Sequence, residues 1–266
     1  MDTYSIKRLL LLAAVSALSF TLLADAVKMP PRRRGRPRRP TQETGGLVFG
    51  KAEGNYVRFV NAQDKIPSTA LIEVAEEVKK NLLLPVEVST ISASNDIFSA
   101  ASKTMATART GVAVVVLDGK FDISILTAPE AGWAIVNVNA LLSDNPDAQK
   151  AQNRLRKELW RALCFAAGGG FSSMKPCVVQ PTKTLNELDS LVYSLPSPMQ
   201  HNAIIDGAHA RGVQSIRINT YLGACREGWA PAPINDIQKA IWERVKADKE
   251  RGPTNPLKIP PPPKRK

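Results

Sequence analysis

The chain has 266 residues, 44% of them hydrophobic, with a formal net charge of +12, enough for one medium domain plus extensions. The excess charge is confined to two Pro-rich tails: residues 28–39 hold seven cations and residues 251–266 hold five, while residues 41–250 hold 22 cations and 22 anions. This excludes a body that is basic overall, so the polyanion-binding character that a high pI usually signals belongs to the tails.

The N-terminus has the form of a secretory signal. Lys7 and Arg8 make a charged start, Leu9 to Ala24 an apolar core, and Ala24-Asp25-Ala26 a small-residue cleavage site. This predicts a signal peptide over 1–26 and an exported mature chain, periplasmic or extracellular, that begins at Val27. The apolar run is shorter than the ~20 residues that span a bilayer. No membrane-spanning segment is therefore expected after cleavage, and an uncleaved anchor is the alternative. Residues 27–46 then form an Arg/Pro-rich linker with Arg32, Arg33, Arg34, Arg36, Arg38 and Arg39. Arg34-Gly35-Arg36-Pro37 is the core that an AT-hook lays in the minor groove. In an exported chain the arm is expected to act as a cationic tether to an anionic envelope polymer. No specific nucleic acid is expected; binding through residues 32–39 is the alternative.

Order begins near Leu47. "YVRFVNA" (residues 56–62) alternates as a strand. Pro67-Ser68 opens a helix whose Leu71, Val74, Ala75, Val78 and Leu82 share one face. "PVEVSTI" (residues 85–91) returns as a strand, and residues 95–108 form a weak helix. "GVAVVVLDG" (residues 111–119) has the near-continuous apolar run of a strand buried on both faces. "DISILTA" and "WAIVNVNAL" are two further strands around the turn at Pro129 to Gly132. This order predicts an α/β layer with a mixed sheet. A long helix follows, with Asn145 as its cap and Pro146 in its first position. Its stripe is Leu155, Leu159, Ala162, Leu163 and Ala166, and Gly168-Gly169-Gly170 stop it. Phosphate loops precede their helix, so this triplet is a helix stop. Beyond Pro196, "SPMQHNAIIDGAHARG" is expected as a helix, "VQSIRINTY" as an extended segment, and "EGWAPAP" as a connector. "DIQKAIWERVKADKE" is a second helix capped by Asn235 or Asp236. The tail 251–266 is Pro/Lys-rich and extended.

The stretch "KELWRALCFAAGGGFSSMKPCVVQPTKTLNELD", with the strand–helix–strand order before it, resembles the archaemetzincins, zinc-dependent metallopeptidase-like proteins. Their helix carries HExxHxxGxxHC, followed by a Cys-x-Met turn and a Ser-x-x-Leu-x-x-x-Asp-like stretch. The resemblance covers about residues 55–190, and "CVVQPTKTLNELD" matches its downstream part in order and character. It places the first zinc histidine on Lys157, the general-base glutamate on Glu158, the second histidine on Arg161, the motif glycine on Cys164 and the third histidine on Ala167. The motif cysteine falls on Gly168, and Val179 stands where the turn has Met. A catalytic zinc needs about three neutral or anionic ligands and an open position. Two cations and a methyl group cannot supply them, and the chain has only His201 and His209. With no metal-bound water to activate, Glu158 is expected to pair with Arg161 or Arg154 on its own helix. An ordinary amphipathic core helix in an unrelated α/β domain gives the same expectation of no metalloprotease activity.

The resemblance implies an α/β (α+β) fold, a metzincin-like mixed sheet packed on two long helices over residues 47–192. A small, mainly helical C-terminal subdomain over 193–250 is added. It also suggests a Cys177–Cys225 disulfide in place of the family's cysteine cluster for a second zinc. The count of three cysteines (Cys164, Cys177, Cys225) leaves at least one thiol unpaired within a monomer, and Cys164 lies near the core stripe. His201 and His209 sit two turns apart and are expected as solvated helix residues. "EGWAPAP" and Trp242 either line a peptide groove or anchor the subdomain. The expected function is that of an exported, non-catalytic protein on an inactive archaemetzincin-like scaffold. It would have no catalytic or metal-binding residues and no cofactor, and would bind a peptide or envelope material. A divergent hydrolase with another active site and a nucleic-acid binder are the alternatives.

Overall fold

The structure is a computed structural model and describes residues 44–250, except Pro176 and Tyr193. The signal segment, the arginine arm and the tail from residue 251 therefore lie outside the described residues.

A five-stranded sheet forms the centre. Its strands are β2 (Tyr56–Ala62), β3 (Val86–Thr90), β4 (Thr110–Leu117), β5 (Ile125–Ala128) and β6 (Trp133–Asn137). A short β1 (Leu47–Phe49) precedes them. The order across the sheet is β3-β2-β4-β6-β5. Every neighbouring pair is parallel except β5 with β6, so β5 is an antiparallel outer strand. β4 sits in the middle and is buried from Gly111 to Leu117, as its unbroken apolar sequence requires.

Strand alternation gives the sheet two packed faces. Val57, Phe59, Val112, Val114, Ala134 and Val136 face α1 (Thr69–Leu82) and the long helix α4 (Ala148–Ala166) in the main core. Val60, Ala62, Val115, Leu117 and Ile135 face α2 (Ile97–Met105). The fold is thus a mixed α/β arrangement in which the two long helices share one side of the sheet. The short helix on the other side adds a third layer.

Local chemistry moves several boundaries. The strand "WAIVNVNAL" stops at Asn137, because the Asn137 side chain accepts from Asn139 N at 3.1 Å and caps a one-turn helix, α3 (Val138–Leu141). α4 is capped by Asp147, which accepts from Lys150 N at 2.8 Å, and not by Asn145. Asn145 instead takes a left-handed φ of 51° in the turn before it, a conformation Asn tolerates better than most residues. A short helix α5 (Leu185–Ser190) follows the Cys177 turn. α6 (Pro198–Ala210) packs on α4 within the main core through Ile204 and Ala208. β7 (Ile218–Thr220) pairs antiparallel with β1. "YLGAC", not foreseen as regular structure, opens α7 (Tyr221–Glu227) under a Thr220 cap. α8 (Asp236–Glu250) follows, with Asn235 accepting from Gln238 N. Val48, Tyr221, Ala224, Cys225, Ile241 and Val245 form a small core of their own. Among the described residues no helix is long and apolar enough to cross a membrane.

Candidate functional site

α4 is buried nearly all round from Arg154 onward. Leu155, Leu159, Ala162, Leu163 and Ala166 occupy the main core as expected. The charged residues of its other face are buried too: Arg154, Lys157, Glu158 and Arg161 are 1%, 9%, 1% and 4% exposed. Buried charges persist only when paired and hydrogen-bonded, so their partners define the site.

Lys157 Nζ donates to Leu188 O at 2.9 Å and to Asp189 O at 3.2 Å. These carbonyls lie at the end of α5, where a helix has no internal donors left and a cation is favoured. Burial pushes the Lys157 pKa down, with Asp189 opposing and Arg154 adding to the shift. Arg161 Nη1 donates to Val178 O at 3.1 Å and to Gln180 O, holding the turn after Cys177 against α4. Arg161 Nε lies 2.9 Å from Glu158 Oε2 in an ion pair whose angle is not that of a hydrogen bond. Glu158 Oε1 accepts from Ser124 Oγ at 3.0 Å. Burial pushes the Glu158 carboxyl up, against the pull of Arg161 and Ser124. Ala167 caps α4 and lies under α6: a Cβ on Gly207 would fall 1.7 Å from Ala167 O.

Glu158 thus pairs with Arg161, and not with Arg154. Arg154 makes a separate cluster that the sequence reading did not foresee. Its Nε and Nη2 donate to Asp189 at 2.8 and 2.7 Å, its Nη1 and Nη2 to Asp144 at 2.6 and 2.8 Å, and its Nη1 to Leu141 O at 2.8 Å. These bonds match the donor capacity of a guanidinium. The hydrogen bonds from Arg154 hold the Asp144 pKa at about 2 and keep Asp189 below the usual carboxylate range. Spacing on the helix was the available signal, since Arg154 lies one turn before Lys157 on one face. Its distant partners carried no mark of their own.

Beside these groups lies a cleft of about 620 Å³. β5, with Ser124 just before it, forms one wall, and Thr182 to Leu185 form the other. Glu158, Arg161 and Phe165 of α4 form its floor. The Phe165 and Phe171 rings meet edge to face at 5.1 Å, and exposed Lys183 lies on the rim. The zinc that the resemblance implies does not fit these residues. Lys157 and Arg161 present N–H donors already engaged with carbonyls, and Ala167 has no donor atom. Among the described residues, no three His, Cys, Asp or Glu side chains are grouped to hold a metal.

The remaining candidates lie apart. Cys177 belongs to the main core and Cys225 to the small C-terminal core, and all three cysteines are free thiols here. His201 is half-buried, its ring 6.1 Å from that of Trp160, rather than solvated. Burial lowers its pKa. His209 is exposed and contacts Ser215 Oγ at 2.9 Å. Trp229 packs on the C-terminal core, while Trp242 lines a second groove of about 380 Å³ with Cys225 and Val245.

Neither a protein-family model nor a curated protein matches the sequence. Two solved structures are similar in fold. The archaemetzincin of Methanopyrus kandleri is 18% identical with a TM-score of 0.45, over 59% of this chain and 96% of that one. A zinc-dependent peptidase from Methanocorpusculum labreanum is 15% identical with a TM-score of 0.43, over 56% and 99%. This chain is similar to both at a distance, in fold.

Proposed function

We propose that the chain is an exported, non-catalytic peptide-binding protein on an archaemetzincin-like scaffold. One observation carries the reading. The three positions that would ligate a metal are engaged in internal structure: Lys157 with the end of α5, Arg161 with the Val178 turn, and Ala167 beneath α6. What remains is a cleft with an outer strand on one side. An outer strand offers backbone groups to an extended peptide, the Phe165–Phe171 pair offers an apolar contact, and Lys183 offers a rim charge. The arginine arm, outside the described residues, would hold the chain to an anionic envelope polymer.

A second reading rests on Ser124. Its Oγ donates to a buried carboxylate inside the cleft, the geometry of a nucleophile beside a base. One experiment separates the two. Peptides from unfolded casein are added to the full chain, and amide exchange in β5 is followed alongside peptide cleavage. Slowed exchange at residues 125–128 without cleavage is expected. Cleavage that Ser124→Ala abolishes establishes the hydrolase instead, and unchanged exchange removes the peptide-binding reading.

A further inference from the structure

Cys164 and Cys177 both lie in the main core, against the start of α6. Cys164 lies one turn beyond Arg161 on the same face of α4. Arg161 grips Val178 O, on the residue next to Cys177, so the turn is drawn onto α4 at that level. Both sulfurs also touch the start of α6. Cys164 Sγ donates to Gln200 Oε1 at 3.9 Å, while Cys177 Sγ accepts from Ser197 N at 3.2 Å and from Val179 N at 3.4 Å. The two thiols share the main core, and Cys225 does not. A Cβ on Gly169 would lie 2.6 Å from Cys164 Sγ, so the chain beyond α4 closes tightly over that sulfur. Burial pushes the Cys164 thiol up to about 12, and Cys177 adds to the shift.

We propose that Cys164 and Cys177 form a redox-sensitive pair that closes to a disulfide, clamping α4 to the turn that Arg161 already holds. The oxidant is a disulfide such as oxidised glutathione. Cys177, which lies at a turn rather than within α4, attacks first. Its thiolate breaks the oxidant S–S bond, forming a mixed disulfide and releasing one thiolate. The Cys164 thiolate then attacks Cys177 Sγ, forming the internal bond and releasing the second thiolate. The two cysteines lose two electrons, the oxidant gains them, and the two thiol protons pass to the released thiolates. Because both thiols are buried in the native fold, exchange takes place while the chain folds or opens. The clamped turn leads into Thr182 to Leu185, so closure stiffens that wall of the cleft. None of this depends on the peptide-binding reading.

The test refolds the reduced full chain in mixed oxidised and reduced glutathione, quenches with acid, unfolds, alkylates and maps the peptides. The expected product has lost the mass of two hydrogens, joins Cys164 to Cys177, and carries alkylation on Cys225 alone. Its thermal unfolding midpoint is expected about 5 °C above that of the reduced chain. Cys164→Ala refolded in the same way is expected to form no internal bridge. Three alkylated cysteines in the native chain, a stable glutathione adduct, a bridge that includes Cys225, or equal midpoints for the two forms overturn the proposal.

Discussion

Arg154, Lys157 and Arg161 share a face of one helix and share a role: each buried cation donates to oxygens from other segments of the chain. Arg154 joins the two carboxylates of Asp144 and Asp189. Removing the guanidinium leaves both carboxylates with Lys150 alone and strips the donor from the buried Leu141 carbonyl, and Arg154→Met is expected to lower unfolding free energy in urea by about 1–2 kcal/mol. The pH dependence follows from the carboxylates. Their pKa values are depressed in the folded chain, so the stability they lend is present above the ordinary value of 3.8 and is lost as pH falls through the folded value, about 2 for Asp144. The thermal midpoint is therefore expected to fall between pH 4 and pH 2, and to fall less in Arg154→Met. A second residue-scale outcome concerns the motif itself. Restoring histidines through Lys157→His and Arg161→His strips donors from Leu188 O, Val178 O and Gln180 O. The double variant is expected to lose at least about 3 kcal/mol, read from the same unfolding curves. A variant as stable as the native chain would show that these cations do not hold the fold.

At the scale of elements, the crossing of α4 and α6 decides what the third motif position can be. Gly207 lets the two backbones touch at Ala167, and any side chain there meets the Ala167 carbonyl. Gly207→Ala is expected to cost about 2 kcal/mol and lower the thermal midpoint, while Gly170→Ala, with open space around it, is expected to cost far less. The strands and long helices were legible because period-2 and period-3.6 patterns report burial directly. α4's apolar stripe was legible for the same reason. Its charged face was not: Arg154, Lys157 and Glu158 look like a solvated face until partners ten or more residues away cover them. α7 was missed because "YLGAC" has too few residues to show a period, and its Thr220 cap is a single local contact. Which core Cys177 and Cys225 each enter was not legible either, being a question of topology rather than spacing.

At the scale of the whole molecule, charge and scaffold are separate. The neutral body carries the cleft and the tails carry the excess charge. Deleting residues 27–40 is expected to weaken salt-sensitive retention on dextran sulfate beads while leaving the thermal midpoint unchanged. Retention unchanged by the deletion places the basic surface outside the arm. Preference for an A·T duplex over dextran sulfate, lost on the same deletion, supports nucleic-acid binding by the arm instead. The amino-terminal signal is decided by sequencing the secreted chain, with Val27 the expected first residue.

The most direct test of a non-catalytic α4 measures zinc per chain by elemental analysis of the purified protein dialysed against zinc, with casein cleavage followed in parallel with and without a chelator. The expected result is zinc well below one per chain and no cleavage that the chelator removes. One zinc per chain accompanied by chelator-sensitive cleavage that Glu158→Ala abolishes contradicts it.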